Sequence, residues 1–133
     1  MPTATLFVPR SPTDCWRHFT DAATLIGWVP GLRRARVVTT GADGLPLEVA
    51  FEFAASRTYS LVYRYDVAGR AVSWEPRVGL RDAVRGGARF DAEDGGTRVT
   101  YTTEDAGRSE AERALDDPER LLAAFAAWMR GAR

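Results

Sequence analysis

Three stretches of the chain, 46–53, 58–66 and 97–103, alternate apolar and polar residues with a period of two and are rich in aromatic rings. Leu47, Val49, Phe51 and Phe53 alternate with Glu48, Ala50 and Glu52, and Tyr59, Leu61, Tyr63 and Tyr65 alternate with Ser60, Val62 and Arg64. Val99 and Tyr101 stand against Arg98, Thr100 and Thr102. A period of two predicts strands with one apolar face. The signals between these runs are those of turns, Gly41-Ala42-Asp43-Gly44, Ala68-Gly69 and Asp94-Gly95-Gly96, so neighbouring strands are expected to pair antiparallel.

The remaining segments complete the order. Thr3 to Pro9 reads as a first strand, and Ser11-Pro12 supplies an N-cap followed by proline at the first helical position. Trp16, Phe19 and Ala23 share one helical side, a second short helix covers Ala22 to Gly27, and Pro30-Gly31 redirects the chain. Ala35 to Thr40, then Val72 with Trp74, then Phe90 with Ala92 add strands, making six consecutive antiparallel strands after the helices. The stretch from Val78 to Gly87 reads as a wide loop or a bulged strand end. A bulge there would turn Arg89 and Asp91 inward as a pair; without one they face solvent. Ser109 to Glu112 has capping-box spacing and predicts a helical turn to Leu115. From Pro118 to Arg130 a stripe of Leu121, Leu122, Phe125, Trp128 and Met129 predicts an amphipathic terminal helix of about 13 residues.

Composition narrows the partners. At 133 residues, with 45% apolar and 27% charged side chains, the chain is expected to be one domain over residues 1–133. Its 18 basic residues, all arginine, balance 18 acidic ones, so no net charge selects nucleic acid. The all-arginine usage fits a GC-rich coding bias. The Arg33-Arg34-Ala35-Arg36 run reads as a solvated strand entry, with acidic headgroups as the alternative contact. The single cysteine, Cys15, has neither a disulfide partner nor a ligand cluster around it, which suits a reducing cytoplasm and predicts no metal and no cofactor. No apolar run approaches the ~18 residues of a membrane span, so no membrane insertion is expected.

A strand, two short helices, six antiparallel strands and a terminal helix is the order of the helix-grip fold. The chain resembles the START/Bet v 1-like (SRPBCC) superfamily, in particular its bacterial polyketide cyclase/dehydrase and lipid-transport branch. The resemblance rests on Val8-Pro9-Arg10-Ser11-Pro12 before Trp16, Phe19-Thr20-Asp21, Trp28-Val29-Pro30-Gly31-Leu32, and Gly95-Gly96-Thr97-Arg98-Val99-Thr100-Tyr101. It implies an α+β fold in which a curved antiparallel sheet of about seven strands wraps a C-terminal helix. It also implies a small hydrophobic ligand, lipid-like or polyketide-like, held between sheet and helix. The terminal helix is shorter than is common in such proteins, which implies a smaller or more open space.

Candidate site residues follow from the inward faces. Phe51, Phe53, Tyr63, Trp74, Phe90, Tyr101, Phe125 and Trp128 are expected to wall the space, with ordinary core packing as the alternative for each. His18 and Tyr63 are the candidates for moving a proton. Three functions stay open at this point: binding or carriage of a small apolar ligand, a cyclase or dehydratase acting on a polyketide-like chain, and an interaction module with a filled core.

Overall fold

The computed structural model describes residues 3–53, 58–76, 85–103 and 118–131. Seven strands form one antiparallel sheet: β1 (Thr3–Val8), β2 (Leu32–Thr40), β3 (Pro46–Phe53), β4 (Thr58–Asp66), β5 (Ala71–Pro76), β6 (Gly86–Glu93) and β7 (Gly96–Thr103). Their spatial order is β1-β7-β6-β5-β4-β3-β2, so β2 to β7 run as a meander and β1 closes onto β7. Three helices cover one face among the described residues: α1 (Pro12–Thr20), α2 (Ala22–Trp28) and α3 (Pro118–Gly131). This is the α+β helix-grip architecture. The helical turn expected at Ser109 to Leu115, and residues 78–84 of the expected loop, lie outside the described residues.

Local chemistry sets the helix boundaries. The Ser11 hydroxyl accepts from the Asp14 backbone N–H at 3.1 Å, with Pro12 behind it. Asp21 ends α1 in an extended conformation and caps α2 through Oδ1, which accepts from the Ala23 N–H at 3.0 Å. One residue thus joins two helices with almost no loop. α3 is tied to the far end of the fold by Arg10, whose guanidinium donates to the Met129 carbonyl at 2.7 Å, and the buried Thr97 hydroxyl donates to the Arg10 carbonyl at 2.7 Å.

The structure corrects two boundaries. β2 starts at Leu32 rather than Ala35, because Gly31, at φ 76°, turns the chain so sharply that Leu32 already pairs with Phe53. β6 starts at Gly86, within the stretch read as loop or bulge, and pairs in unbroken register: Gly86 with Trp74, Gly87 with Ser73 and Ala88 with Val72. With no bulge, parity is kept. Ala88 and Phe90 are buried, while Arg89 and Asp91 lie outward and pair with each other at 2.8 Å. The inward pairing of Arg89 and Asp91 is thereby excluded.

The space between helices and sheet is filled on one side only. Phe19, Phe90 and Phe125 meet at ring distances of 5.2–6.3 Å, and Trp16 sets its edge against Phe90 and Tyr65. Phe90 and Phe125 are almost wholly enclosed. Burial of such a side chain stabilises by about 1.5–3 kcal/mol. Phe19 is the hub of this cluster and also faces Trp28, Trp74 and Tyr101, at ring distances of 5.7, 6.0 and 6.2 Å. Beyond it the packing opens.

Candidate ligand site

A partly enclosed hollow of about 70 Å³ lies beyond Phe19. Its floor is the concave face of the sheet. Register places Tyr63 beside Trp74, Trp74 beside Gly86, and Gly86 beside Thr103, so these four form one row across β4, β5, β6 and β7. Gly86 is required there: a Cβ would stand 2.8 Å from the Trp74 ring and 2.7 Å from the Thr102 carbonyl oxygen. The missing side chain lets the indole lie across the sheet. Phe51, Phe53, Tyr59, Leu61 and Tyr101 complete the floor and side wall, with Phe53 and Tyr59 stacked at 5.2 Å.

The roof differs from the sequence expectation. α3 was expected to close the space, yet it contributes only Leu121, while α1 and α2 with the turn after them bring Phe19, Leu25, Trp28 and Val29. The reason is geometric. Asp21 reverses the chain so tightly that α2 lies over the sheet beside the hollow, and α3 packs mainly along β1. Of the eight residues expected on the wall, Phe51, Phe53, Tyr63, Trp74 and Tyr101 border the hollow. Phe90 and Phe125 stand behind Phe19 in the solid core, because their rings are enclosed by neighbouring side chains.

Trp128 is outside the hollow altogether. Its ring packs on Gly27, where a Cβ would come within 2.5 Å of it, and its Nε1–H donates to His18 Nδ1 at 3.3 Å. His18 is absent from the wall and is committed to this inter-helix contact. Burial lowers its proton affinity, helped by the Arg17 and Arg10 charges. A neutral ring is what the geometry requires, since Nδ1 accepts. Its other nitrogen, Nε2, is buried with no partner among the described residues.

Among the described residues the wall holds hydroxyls but no group that ionises near neutral pH. Tyr63 keeps some accessible surface, yet desolvation of its phenol, with the Tyr101, Tyr65 and Tyr59 phenols around it, raises its proton affinity well above the ordinary tyrosine range. It is therefore a donor and not a base. Tyr63 and buried Thr103 each bring a hydroxyl-bearing side chain to the wall. Tyr65, on the same strand face as Tyr63 by parity, points to the hairpin instead and donates to the Pro46 carbonyl at 2.6 Å. Trp28 Nε1 is likewise buried without an acceptor among the described residues. Cys15 is buried and free, with its thiol pushed up by burial, so it is no nucleophile. No group of three or more His, Cys, Asp or Glu among the described residues is placed to hold a metal.

Sequence reasoning missed Phe19, Leu25, Trp28, Val29, Leu61, Thr103 and Leu121 as wall residues, while Tyr59 follows from the strand face it shares with Tyr63. Leu61 could have been found from its shared parity with Tyr63, and Thr103 from its parity with Tyr101. The α2 residues carry no such signal.

An antiparallel sheet gripping a helix beside a ring-walled hollow is the START-like, helix-grip fold. A family profile described as polyketide cyclase / dehydrase and lipid transport matches residues 3–132, and the chain belongs to that family. Among solved structures it is similar to a START superfamily protein from Mycobacterium smegmatis, with TM-score 0.77 and 13% identity, covering 96% of this chain and 95% of that one. It is similar to the Zhui aromatase/cyclase from Streptomyces sp. R1128, with TM-score 0.70 and 16% identity over 97% of this chain and 90% of that one. It is also similar to the 18 kDa protein CC1736 from Caulobacter crescentus, with TM-score 0.69 and 21% identity over 98% and 97%. No curated protein matches the chain in sequence. No described helix is long and apolar enough to cross a membrane.

Proposed function

We propose that this protein binds and carries a small apolar molecule in the hollow between the sheet and the α1–α2 roof, in the cytoplasm. The observation that carries the reading is a concave wall made almost wholly of rings and aliphatic side chains, with no ionised group among the described residues that line it. Burial of ligand apolar surface at ~25 cal/mol per Å² would supply most of the affinity. Size sets the limit. A sealed apolar cavity of roughly 150 Å³ takes one benzene, and this hollow is about 70 Å³. A single ring is therefore seated only with part of it in the mouth or with the wall displaced. Phe51, Phe53, Tyr63, Trp74 and Tyr101 are the contacts from the sheet. Balanced charge argues against nucleic acid as a partner.

A cyclase or dehydratase is the second reading, and the hydroxyls of Tyr63 and Thr103 on one wall favour it. Such chemistry needs a group that removes a proton, and neither a carboxylate nor an imidazole borders the hollow among the described residues. Carriage is the better fit. Native mass spectrometry of freshly purified protein tests it: a co-purified apolar molecule of low mass is the expected result. A bare chain that also fails to take up single-ring compounds would overturn the proposal. If turnover of any substrate is found, Tyr63→Phe decides whether the phenol takes part.

A further inference from the structure

One indole ties the three described helices together. Trp128 on α3 lays its ring on Gly27 of α2, where a Cβ would come within 2.5 Å of it, and its Nε1–H donates to His18 Nδ1 on α1 at 3.3 Å. The His18 backbone carbonyl in turn accepts from the Thr24 hydroxyl on α2. His18 thus holds α2 directly through its carbonyl and indirectly through the indole. α2 and the turn after it bring Leu25, Trp28 and Val29 to the hollow, so two residues that are themselves off the wall fix where that part of the roof stands.

This contact accepts only a neutral imidazole. Nδ1 must keep its lone pair to receive the indole N–H, and Nε2 is buried with no hydrogen-bond partner among the described residues. Protonation would set a second N–H against that of the indole and enclose a charged ring whose other N–H has no acceptor, so the imidazolium must turn out to water. The described charges that act on the ring are Arg17 and Asp14 on α1, Arg10 before α1 and Asp21 at the joint with α2. They are two of each sign, and α3 faces the ring with the Trp128 indole. No excess of negative charge rewards a proton there.

We infer that His18 and Trp128 are positioning residues of the hollow: the neutral imidazole holds the indole that props α2, and protonation of His18 releases the roof and weakens retention of the apolar guest. The inference rests on the carriage reading above. His18 is the only histidine of the chain, so NMR of its ring follows this one titration, and toluene affinity is measured on both sides of it with far-ultraviolet circular dichroism confirming the fold. Toluene is expected to bind about five- to tenfold more weakly to the protonated form, and by reciprocity saturating toluene lowers the pH at which His18 titrates. His18→Gln should bind toluene as wild type does at pH 7.5 and lose the acid decline. Trp128→Phe, which keeps a ring on Gly27 without the donor, should also lose it. An affinity that stays flat while His18 titrates, or variants that decline as wild type does, would overturn the inference and leave carriage standing. If toluene does not bind at pH 7.5, the carriage reading itself fails. The backbone amide signals of Leu25, Trp28 and Val29 then decide the latch alone: they move with the His18 titration if it holds the roof, and their indifference to it overturns the inference.

Discussion

Gly86 gives the sharpest test of the site's floor. An alanine Cβ at this position would lie 2.7 Å from the Thr102 backbone oxygen and 2.8 Å from two atoms of the Trp74 indole. The carbonyl belongs to the paired β7 strand and has little freedom, so the indole must tilt into the hollow or the β6–β7 pairing must shift. Overpacking of this kind costs about 1–3 kcal/mol. Gly86 is not at positive φ, so alanine also stabilises by about 0.4–1 kcal/mol by restricting the unfolded chain. The balance at mid-range is a loss of about 1.3 kcal/mol, which at a urea slope of about 2 kcal/mol per M lowers the unfolding midpoint by about 0.6 M. Gly87→Ala is the control, since the nearest atom its Cβ would meet is the Val72 carbonyl oxygen at 3.1 Å, a contact that a small shift relieves. The assay is urea unfolding followed by far-ultraviolet circular dichroism, with slopes compared to confirm that only stability changed. A Gly86→Ala protein as stable as wild type, or less perturbed than Gly87→Ala, would show that the Trp74 ring does not rest over Gly86 and would refute the floor as described.

Three further outcomes follow from contacts outside the hollow. The folded-state proton affinity of His18 is lowered, by burial first and then by Arg17 and Arg10 against the opposing Asp14 and Asp21 charges. The unfolded state therefore binds the extra proton first, and the stability this adds is present above pH 6.5 and lost as pH falls through the folded value. Urea midpoints measured from pH 7 down to pH 5 should decline, and His18→Gln should flatten that decline; an unchanged slope in the variant would contradict it. Gly27→Ala should destabilise the wild type, because its Cβ would sit 2.5 Å from the Trp128 ring, yet stabilise a Trp128→Ala background by about 1 kcal/mol through helix propensity. A double-mutant cycle by thermal melting reads that change of sign. Cys15, buried with its thiol pushed up, should react with a thiol reagent only as fast as the protein unfolds, so labelling at native-state rates typical of a free thiol would be inconsistent with its placement.

The strand faces were legible because parity is a property of the sequence itself. Once Phe51 faces inward, so do Val49 and Phe53, and the register with β4 brings Tyr59 opposite Phe51. The cap at Ser11 was legible for the same local reason, although Asp21 was not recognised as the joint of two helices. What could not be read is whether an inward ring fills the interior or borders a gap. Phe90 and Phe51 carry the same signal, yet Phe90 is wedged against Phe19 and Phe125 while Phe51 fronts the hollow. That difference depends on where α2 settles, which is set by tertiary packing and leaves no periodic trace. The His18–Trp128 contact spans 110 residues and was invisible for the same reason.

The sheet ends at β2, and that end has its own consequence. Among the described residues β2 has a strand partner on one side only, it is exposed along most of its length, and Val37 and Val38 lie on it uncovered. An open rim of this kind is a template on which a stray strand from another molecule could polymerise. Three breaks in register against β3 kink it, and Arg33, Arg34 and Arg36 bristle from its first half. Arg34 lies 3.9 Å from Glu52 on β3, and whatever the origin of the all-arginine composition, the Arg33 and Arg36 guanidinium groups are placed where they repel a second copy of the same rim and so keep the sheet from growing sideways.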